Sequence, residues 1–369
     1  MYFRDVIGLH DVKEHLINSV RQGFIPHARI FYGPEGVGKL PLAIAYARYL
    51  NCSNRGAEDA CGECPSCHKF DKLAHPDLHF VFPVVKSKVS DQYLPQWREF
   101  LSENSYFNLN QWLNFIDAQN AQGIIYSKES DEIIRKLSLK VYEAPYKIMI
   151  VWLPEKMHEA CANKLLKLVE EPPDLTVFLL VSEDRESVLQ TIWSRCQPLH
   201  IRAIEKDEMV VVLQQKFGLD LERARSTAHI ANGSFTKAIE IIQASEHTEY
   251  FFELFRQMMR NAFAGKIKAI KEIANEIAGI GREMQKSFLL YSLRLFREYF
   301  VSNLDAPEMV YLNSDEWQFG ERFAPFINEK NIEELSNEFS LAYRQIEQNG
   351  NAKIIFLDLC LKVTMFLRK

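Results

Sequence analysis

Cys52, Cys61, Cys64 and Cys67 follow one another as C-x8-C-x2-C-x2-C, the densest group of chemically competent side chains in the sequence. Two residues between cysteines let neighbouring sulfurs reach one ion at ~2.3 Å, and four thiolates complete a tetrahedral zinc shell. A closed shell leaves no position for water, so Zn²⁺ here is expected to be structural rather than catalytic. Four free thiols so close together is the competing reading. A disulfide pair is disfavoured, because seven cysteines in such a chain point to a reducing compartment. His68 and His75 lie nearby as candidate substitute ligands, and surface or supporting roles are the favoured reading. Cys161, Cys196 and Cys360 stand far apart and read as small buried apolar residues. No Ser-His-Asp or Cys-His arrangement offers a nucleophile.

The second constellation is "GPEGVGKL", residues 33 to 40. Gly33, Gly36, Gly38 and Lys39 match a phosphate-binding loop whose backbone N–H groups and lysine cradle phosphates. The next position should carry the hydroxyl that holds Mg²⁺, and it is Leu40. The strand that should end in acidic metal and water ligands is "KIMIVWLP", with Trp152 and Leu153 at its tip. Glu155 and Glu159 follow, but lie further along and read as solvated or capping carboxylates. Two defects in one site argue against ATP hydrolysis in cis, so no intrinsic ATPase is expected. The loop reads equally as a structural strand-to-helix turn and as a weak ATP or ADP site.

The third is "SRC", Ser194-Arg195-Cys196. A lone arginine usually pairs with a surface carboxylate. Beside a defective triphosphatase site it also fits a guanidinium supplied to a neighbouring subunit's ATP.

Positioning these groups requires a parallel sheet. Short apolar runs recur at 28–33, 78–85, 146–153, 176–182 and 198–201, separated by helical segments such as "EACANKLLKLVEE", which Pro172 and Pro173 stop. Buried strands alternating with helices indicate an α/β domain covered on both faces. "ARIFYG" before the glycine loop and "KLPLAIAYARYL" after it give the strand-loop-helix context the motif needs, and Pro41 is tolerated in a first helical turn. From about residue 203 the strand signals vanish. Residues 203–245 read as a small helical domain, and 246–369 as a longer all-helical region with Phe, Leu and Ile at spacings of three and four. Residues 86–123, rich in Trp, Phe, Asn and Gln, read as a helical insertion packing its aromatics onto the domain, with a partner-binding surface as the alternative.

With 369 residues, 47% of them hydrophobic, two or three domains are expected. A net charge of −5 provides no global field toward nucleic acid. The charged, amphipathic N-terminus lacks the apolar core of a signal peptide, and no stretch approaches ~18 uninterrupted apolar residues. A cytoplasmic protein is expected, with no membrane partner.

Together these pieces resemble the delta-prime subunits of the bacterial DNA polymerase III clamp loader, within the AAA+ family. "IGLHDVKEHL", "PHARIFYGPEGVGK", the four cysteines, "HPDLHFV", "NKLLKLVEEPP", "FLLVSEDRESVLQTIWSRC" and "NGNAKIIFLDL" stand in that family's order. The resemblance implies an AAA+ P-loop domain over 1–202 with a zinc module at 52–67, a helical lid over 203–245 and a C-terminal helical collar over 246–369. It implies a pentameric ring with motor (tau/gamma) and delta subunits that opens the sliding clamp and places it on primed DNA. The family's motor subunit carries a loop hydroxyl, an acidic pair after the third strand and a lid arginine. Here those places hold Leu40, Trp152-Leu153 and Thr236, while Arg195 is kept. The resemblance therefore implies a non-motor subunit that donates an arginine finger. The insertion at 86–123 is longer than the family pattern. The rival readings are an active motor subunit, which would need Glu155 to reach a metal, and a zinc-dependent nucleic-acid-binding module. The flank "NRGAEDACGECPSCHKFDK" mixes both charge signs, which weakens the latter.

Overall fold

The structure is a computed structural model that describes residues 1–86, 88–118, 121–304, 310, 312–348 and 350–368. Ser87, Gln119 and Asn120 of the 86–123 insertion, and Asn349 of "NGNAKIIFLDL", lie outside the described residues. The chain divides into two compact units, Met1–Ile241 and Ile242–Lys369.

The first unit is built on five parallel strands: β1 (Ala28–Tyr32), β2 (Leu78–Val81), β3 (Lys147–Trp152), β4 (Thr176–Ser182) and β5 (Gln197–His200), in the order β2-β3-β4-β1-β5. Ile150 pairs with Leu179 and Ile30 with Leu180. Because successive side chains point to opposite faces, β3 and β4 feed two cores. Ile148, Ile150, Trp152, Val177, Leu179 and Val181 join one face. Met149, Val151, Phe178 and Leu180 join the other, with Cys161, Leu165 and Cys196. Both faces are covered, which is why the strands read as continuous apolar runs. Burial pushes the Cys161 and Cys196 thiols up to about 12.

Helix Lys39–Asn51 starts directly from the glycine loop and is buried along its whole length. It therefore carries apolar residues all round instead of on one stripe. The order of strands places the loop after β1, between β4 and β5, at the carboxyl ends where open α/β sheets bind ligands.

The insertion contributes a 3₁₀ turn (Ser90–Tyr93) and helices Leu94–Glu103 and Leu109–Phe115. Trp97 and Trp112 are fully buried. Trp97 stacks on Phe82 at 4.1 Å, and Trp112 Nε1 donates to Pro83 O at 2.9 Å. Truncating such a side chain typically costs ~3–5 kcal/mol, so the insertion is part of the core. A further helix, Glu129–Ser138, precedes β3. Helices Lys206–Phe217 and Leu221–Ala231 and the start of helix Phe235–Ala264 complete this unit.

The second unit contains the rest of helix Phe235–Ala264 and helices Ile267–Gly279, Arg282–Ser302, Ser314–Phe323, Ile332–Glu347 and Ala352–Phe366. Its core is aromatic, with Phe255, Phe288, Phe296, Tyr299 and Phe339 buried together with Cys360. Glu316 is buried there because Tyr291 Oη donates to it at 2.6 Å, and Arg294 pairs with it.

Candidate functional site

The glycines of the phosphate loop are crowded by protein. Gly36 (φ 76°) and Gly38 (φ 91°) lie in the left-handed region, where a side chain would strain the backbone. A Cβ on Gly36 would also stand 2.1 Å from Ser234 Oγ, and one on Gly38 2.9 Å from Tyr106 Oη. In a working loop that space lets backbone approach phosphate. Here it admits helix Phe235–Ala264, whose Phe235 N–H donates to Gly36 O at 2.9 Å, and a tyrosine of the insertion.

Lys39 is 4% exposed, and its ammonium donates to the loop's own Pro34 carbonyl. Burial pushes its pKa down to about 8, opposed by Glu183, Glu155 and Glu35. Leu40 is buried. Trp152 ends β3 against Trp97 at 5.2 Å and Phe107 at 5.1 Å, so the place of the acidic metal ligand is occupied by indole. Thr236 is fully buried, within reach of a Cβ on Gly36.

Glu155 corrects the expectation of a solvated carboxylate. Leu153 takes a left-handed φ of 56° and opens a 3₁₀ turn (Pro154–Lys156). That turn folds Glu155 back so that its Oε1 accepts the Glu183 N–H at 2.8 Å, and burial raises its pKa. Glu159 stays exposed at the first position of helix Glu159–Glu170.

Glu183, at the end of β4, had no role in the sequence-based expectations. Burial pushes its carboxyl up to about 7, with Lys39 opposing. An unfolded glutamate ionises near 4.5. The stability associated with this raised pKa is therefore full below about pH 4.5 and lost as pH rises through about 7. Glu183→Gln should fall less in melting temperature between pH 5 and 7 than the natural chain. Discounted for partial exposure, the difference is on the order of 1–2 kcal/mol. Equal pH slopes for the two proteins would contradict this placement.

The four cysteines converge. Their ligand atoms all lie within 4.8 Å of one another, the one such group among the described residues. Sγ separations are 3.5 Å (Cys52–Cys61), 3.7 Å (Cys52–Cys67) and 3.9 Å (Cys52–Cys64 and Cys61–Cys67). A tetrahedron of sulfurs at ~2.3 Å from one ion has edges of ~3.8 Å, so the residues fit a Cys₄ metal. Cys61, Cys64 and Cys67 each direct a backbone N–H at the preceding sulfur, at 3.4 Å, where it offsets thiolate charge. Cys64 also caps helix Pro65–Asp71, with Pro65 in its first turn. His75 packs instead on Phe70 at 5.0 Å, and His68 stands by Asp71.

The cluster holds the start of the chain. Tyr2 packs against it and donates to Asp71 Oδ1 at 3.2 Å. Arg48 lies 3.9 Å over the Tyr2 ring and pairs with Asp71 at 2.7 Å. The Phe3 and Arg4 N–H groups donate to Asp59, within the module, at 3.2 and 3.1 Å.

Arg195 follows the short helix Gln190–Trp193 and is half-buried. Its Nη1 donates to Thr191 O at 2.9 Å and its Nη2 to Glu170 Oε1 at 3.2 Å. The pairing with a surface carboxylate is thus present, and Glu170 belongs to "NKLLKLVEEPP". Nothing of its own subunit's phosphate loop contacts Arg195 in these hydrogen bonds. The structure brings Gly33, Gly36, Gly38 and Lys39 together, and separately the four cysteines.

A parallel P-loop sheet, four convergent cysteines that could hold a metal, and a helical region after them in sequence make up the α/β-then-helical fold. The chain belongs to the family described as "DNA polymerase III, delta subunit", whose model matches residues 8–205. It is 27% identical over 264 residues to the DNA polymerase III subunit delta' of Bacillus subtilis, covering 68% of this chain and 66% of that protein. It is 26% identical over 207 residues to the tau/gamma subunit of Haemophilus influenzae, covering 56% of this chain and 25% of that protein. The chain thus spans less than two thirds of these relatives' length. Among solved structures it is similar to a DNA polymerase III gamma subunit-related protein of Thermotoga maritima (TM-score 0.35, 12% identity, 97% of this chain and 99% of that one). It is also similar to the RuvB Holliday junction branch migration motor of the same organism (TM-score 0.40, 14% identity, 66% and 63%). No helix among the described residues is long and apolar enough to cross a membrane.

Proposed function

We propose that the chain is the non-motor, delta-prime-type subunit of a cytoplasmic DNA polymerase III clamp loader. It would assemble with motor (tau/gamma) and delta subunits into a pentameric ring that loads the sliding clamp onto primed DNA. In that ring the 1–202 region is the AAA+ domain, 203–245 the lid and 246–369 the collar. Cys52, Cys61, Cys64 and Cys67 hold one structural Zn²⁺, whose role is to fix the local fold. Gly33, Gly36, Gly38 and Lys39 keep the shape of a nucleotide cradle without ATP turnover.

The observation that carries this reading is chemical. Leu40 and Trp152 occupy the places of both metal-holding groups and are buried, while Arg195 stays accessible beside Glu170. A guanidinium there can serve a neighbouring subunit's ATP, stabilising charge on the transferring phosphoryl group. The motor alternative is weakened at Glu155, whose Oε1 accepts the Glu183 N–H and whose burial disfavours its charged form.

Co-expression with the tau/gamma and delta subunits tests the assignment. The chain should co-purify in a stoichiometric complex, and alone it should show background ATP turnover with or without Mg²⁺. Robust Mg²⁺-dependent turnover by the isolated chain would place it among the motors instead.

A further inference from the structure

We infer that the segment Ser105–Asn108 of the insertion is the resident occupant of the phosphate loop. It fills the room that a nucleotide's phosphates would take and ties the loop to helix Phe235–Ala264, keeping that cleft closed without nucleotide.

The space is nearly gone. The cavity left at the loop is ≈ 20 Å³, lined by Gly36, Gly38, Lys39, Ser105, Tyr106 and Glu183 among others. One water needs ~10–15 Å³ measured this way, so a single water fits and a diphosphate does not. What fills the rest is aromatic. Tyr106 is 7% exposed; its ring lies against Gly38 and 5.0 Å from the Phe235 ring. Its Oη accepts the Ile7 N–H at 2.9 Å, so the buried hydroxyl is satisfied. Phe107, equally buried, packs on Trp152 and, at 5.7 Å, on Trp97, covering the position of the missing metal ligand.

Asn108 completes the tie. Its Oδ1 caps helix Leu109–Phe115 by accepting the Gln111 N–H at 3.0 Å. Its Nδ2 donates to Glu35 of the loop at 3.2 Å and to Glu240 of helix Phe235–Ala264 at 3.1 Å. Gln111 Nε2 adds a second bond to Glu240, at 3.3 Å. An amide thus joins two carboxylates that would otherwise repel. The insertion thus links loop and helix, and the Lys39 ammonium donates within the loop, to Pro34 O.

Two variants of the full chain test this. Tyr106→Ala/Phe107→Ala should empty the cleft and let it bind a fluorescent ADP analogue, independently of Mg²⁺, with Kd below about 1 mM, whereas the natural chain shows no binding at that concentration. Asn108→Ala keeps the aromatic plug and removes the tie. By hydrogen exchange, amides of 235–241 should open about tenfold more often, with β3 and β4 unchanged. Binding of the analogue by the natural chain as tightly as by the double variant would overturn the inference. So would a folded double variant that fails to bind, or unchanged exchange at 235–241 in Asn108→Ala. If the double variant does not fold, the exchange result decides alone.

Discussion

Removing the metal from the four-cysteine cluster, or replacing Cys67 by serine, should lower the melting temperature of the first unit by ~6–12 °C. Structural zinc in small modules carries apparent binding free energies of ~10–16 kcal/mol. If about a third of the lower figure is expressed as global stability, ~3 kcal/mol is lost, and a unit of this size shifts by ~2–4 °C per kcal/mol. The effect should spread beyond the module, because Tyr2, Phe3 and Arg4 are held through Asp59, within the module, and Asp71, just after it. Elemental analysis should find about one zinc per chain. Protease cleavage near the N-terminus should accelerate on chelation. A metal-free chain with an unchanged melting temperature and cleavage pattern would contradict a structural metal here.

The convergence of the four cysteines was legible from spacing alone, because most of the cluster is local: the C-x2-C-x2-C run and a helix capped by Cys64 dictate their own geometry. The strands were legible for a similar reason, since β3 and β4 are buried on both faces and their interior positions, 148–152 and 177–181, are all apolar. Their register was not, because one apolar run pairs with another at several offsets. Glu155 was misplaced because its direction depends on the left-handed Leu153, a conformation that leucine does not advertise. The destination of Tyr106 and Phe107 was hidden by distance in sequence. Aromatic density in 86–123 indicated a buried insertion, yet nothing local says that Tyr106 meets Ile7, 99 positions away. The degenerate residues Leu40 and Trp152 showed what the loop lacks; only the fold shows what stands in its place.

The other large effect concerns Arg195. Arginine fingers are worth ~10³–10⁵ in rate at the site they serve. In the proposed ring, with several ATP sites, the total loss would be smaller, because this chain would border only one of them. Arg195→Ala should leave the chain folded and the complex assembled, since the residue gives up only a half-exposed pair with Glu170 and a bond to Thr191 O, worth ~0–1 kcal/mol. Arg195→Lys should rescue poorly, because an ammonium keeps the charge without the planar fork. Glu170→Ala separates the two roles. If Arg195 acts only through its pairing with Glu170, losing either partner should have the same effect. If the guanidinium acts in trans, Glu170→Ala should retain clamp loading that Arg195→Ala loses.

The most direct measurement is therefore DNA- and clamp-stimulated ATP turnover by the purified, fully assembled complex, containing either the natural chain or its Arg195→Ala variant. A clear fall in turnover and clamp loading, with assembly and melting temperature unchanged, is the expected result. Equal turnover and loading by the two assembled complexes would show that Arg195 serves only its own subunit.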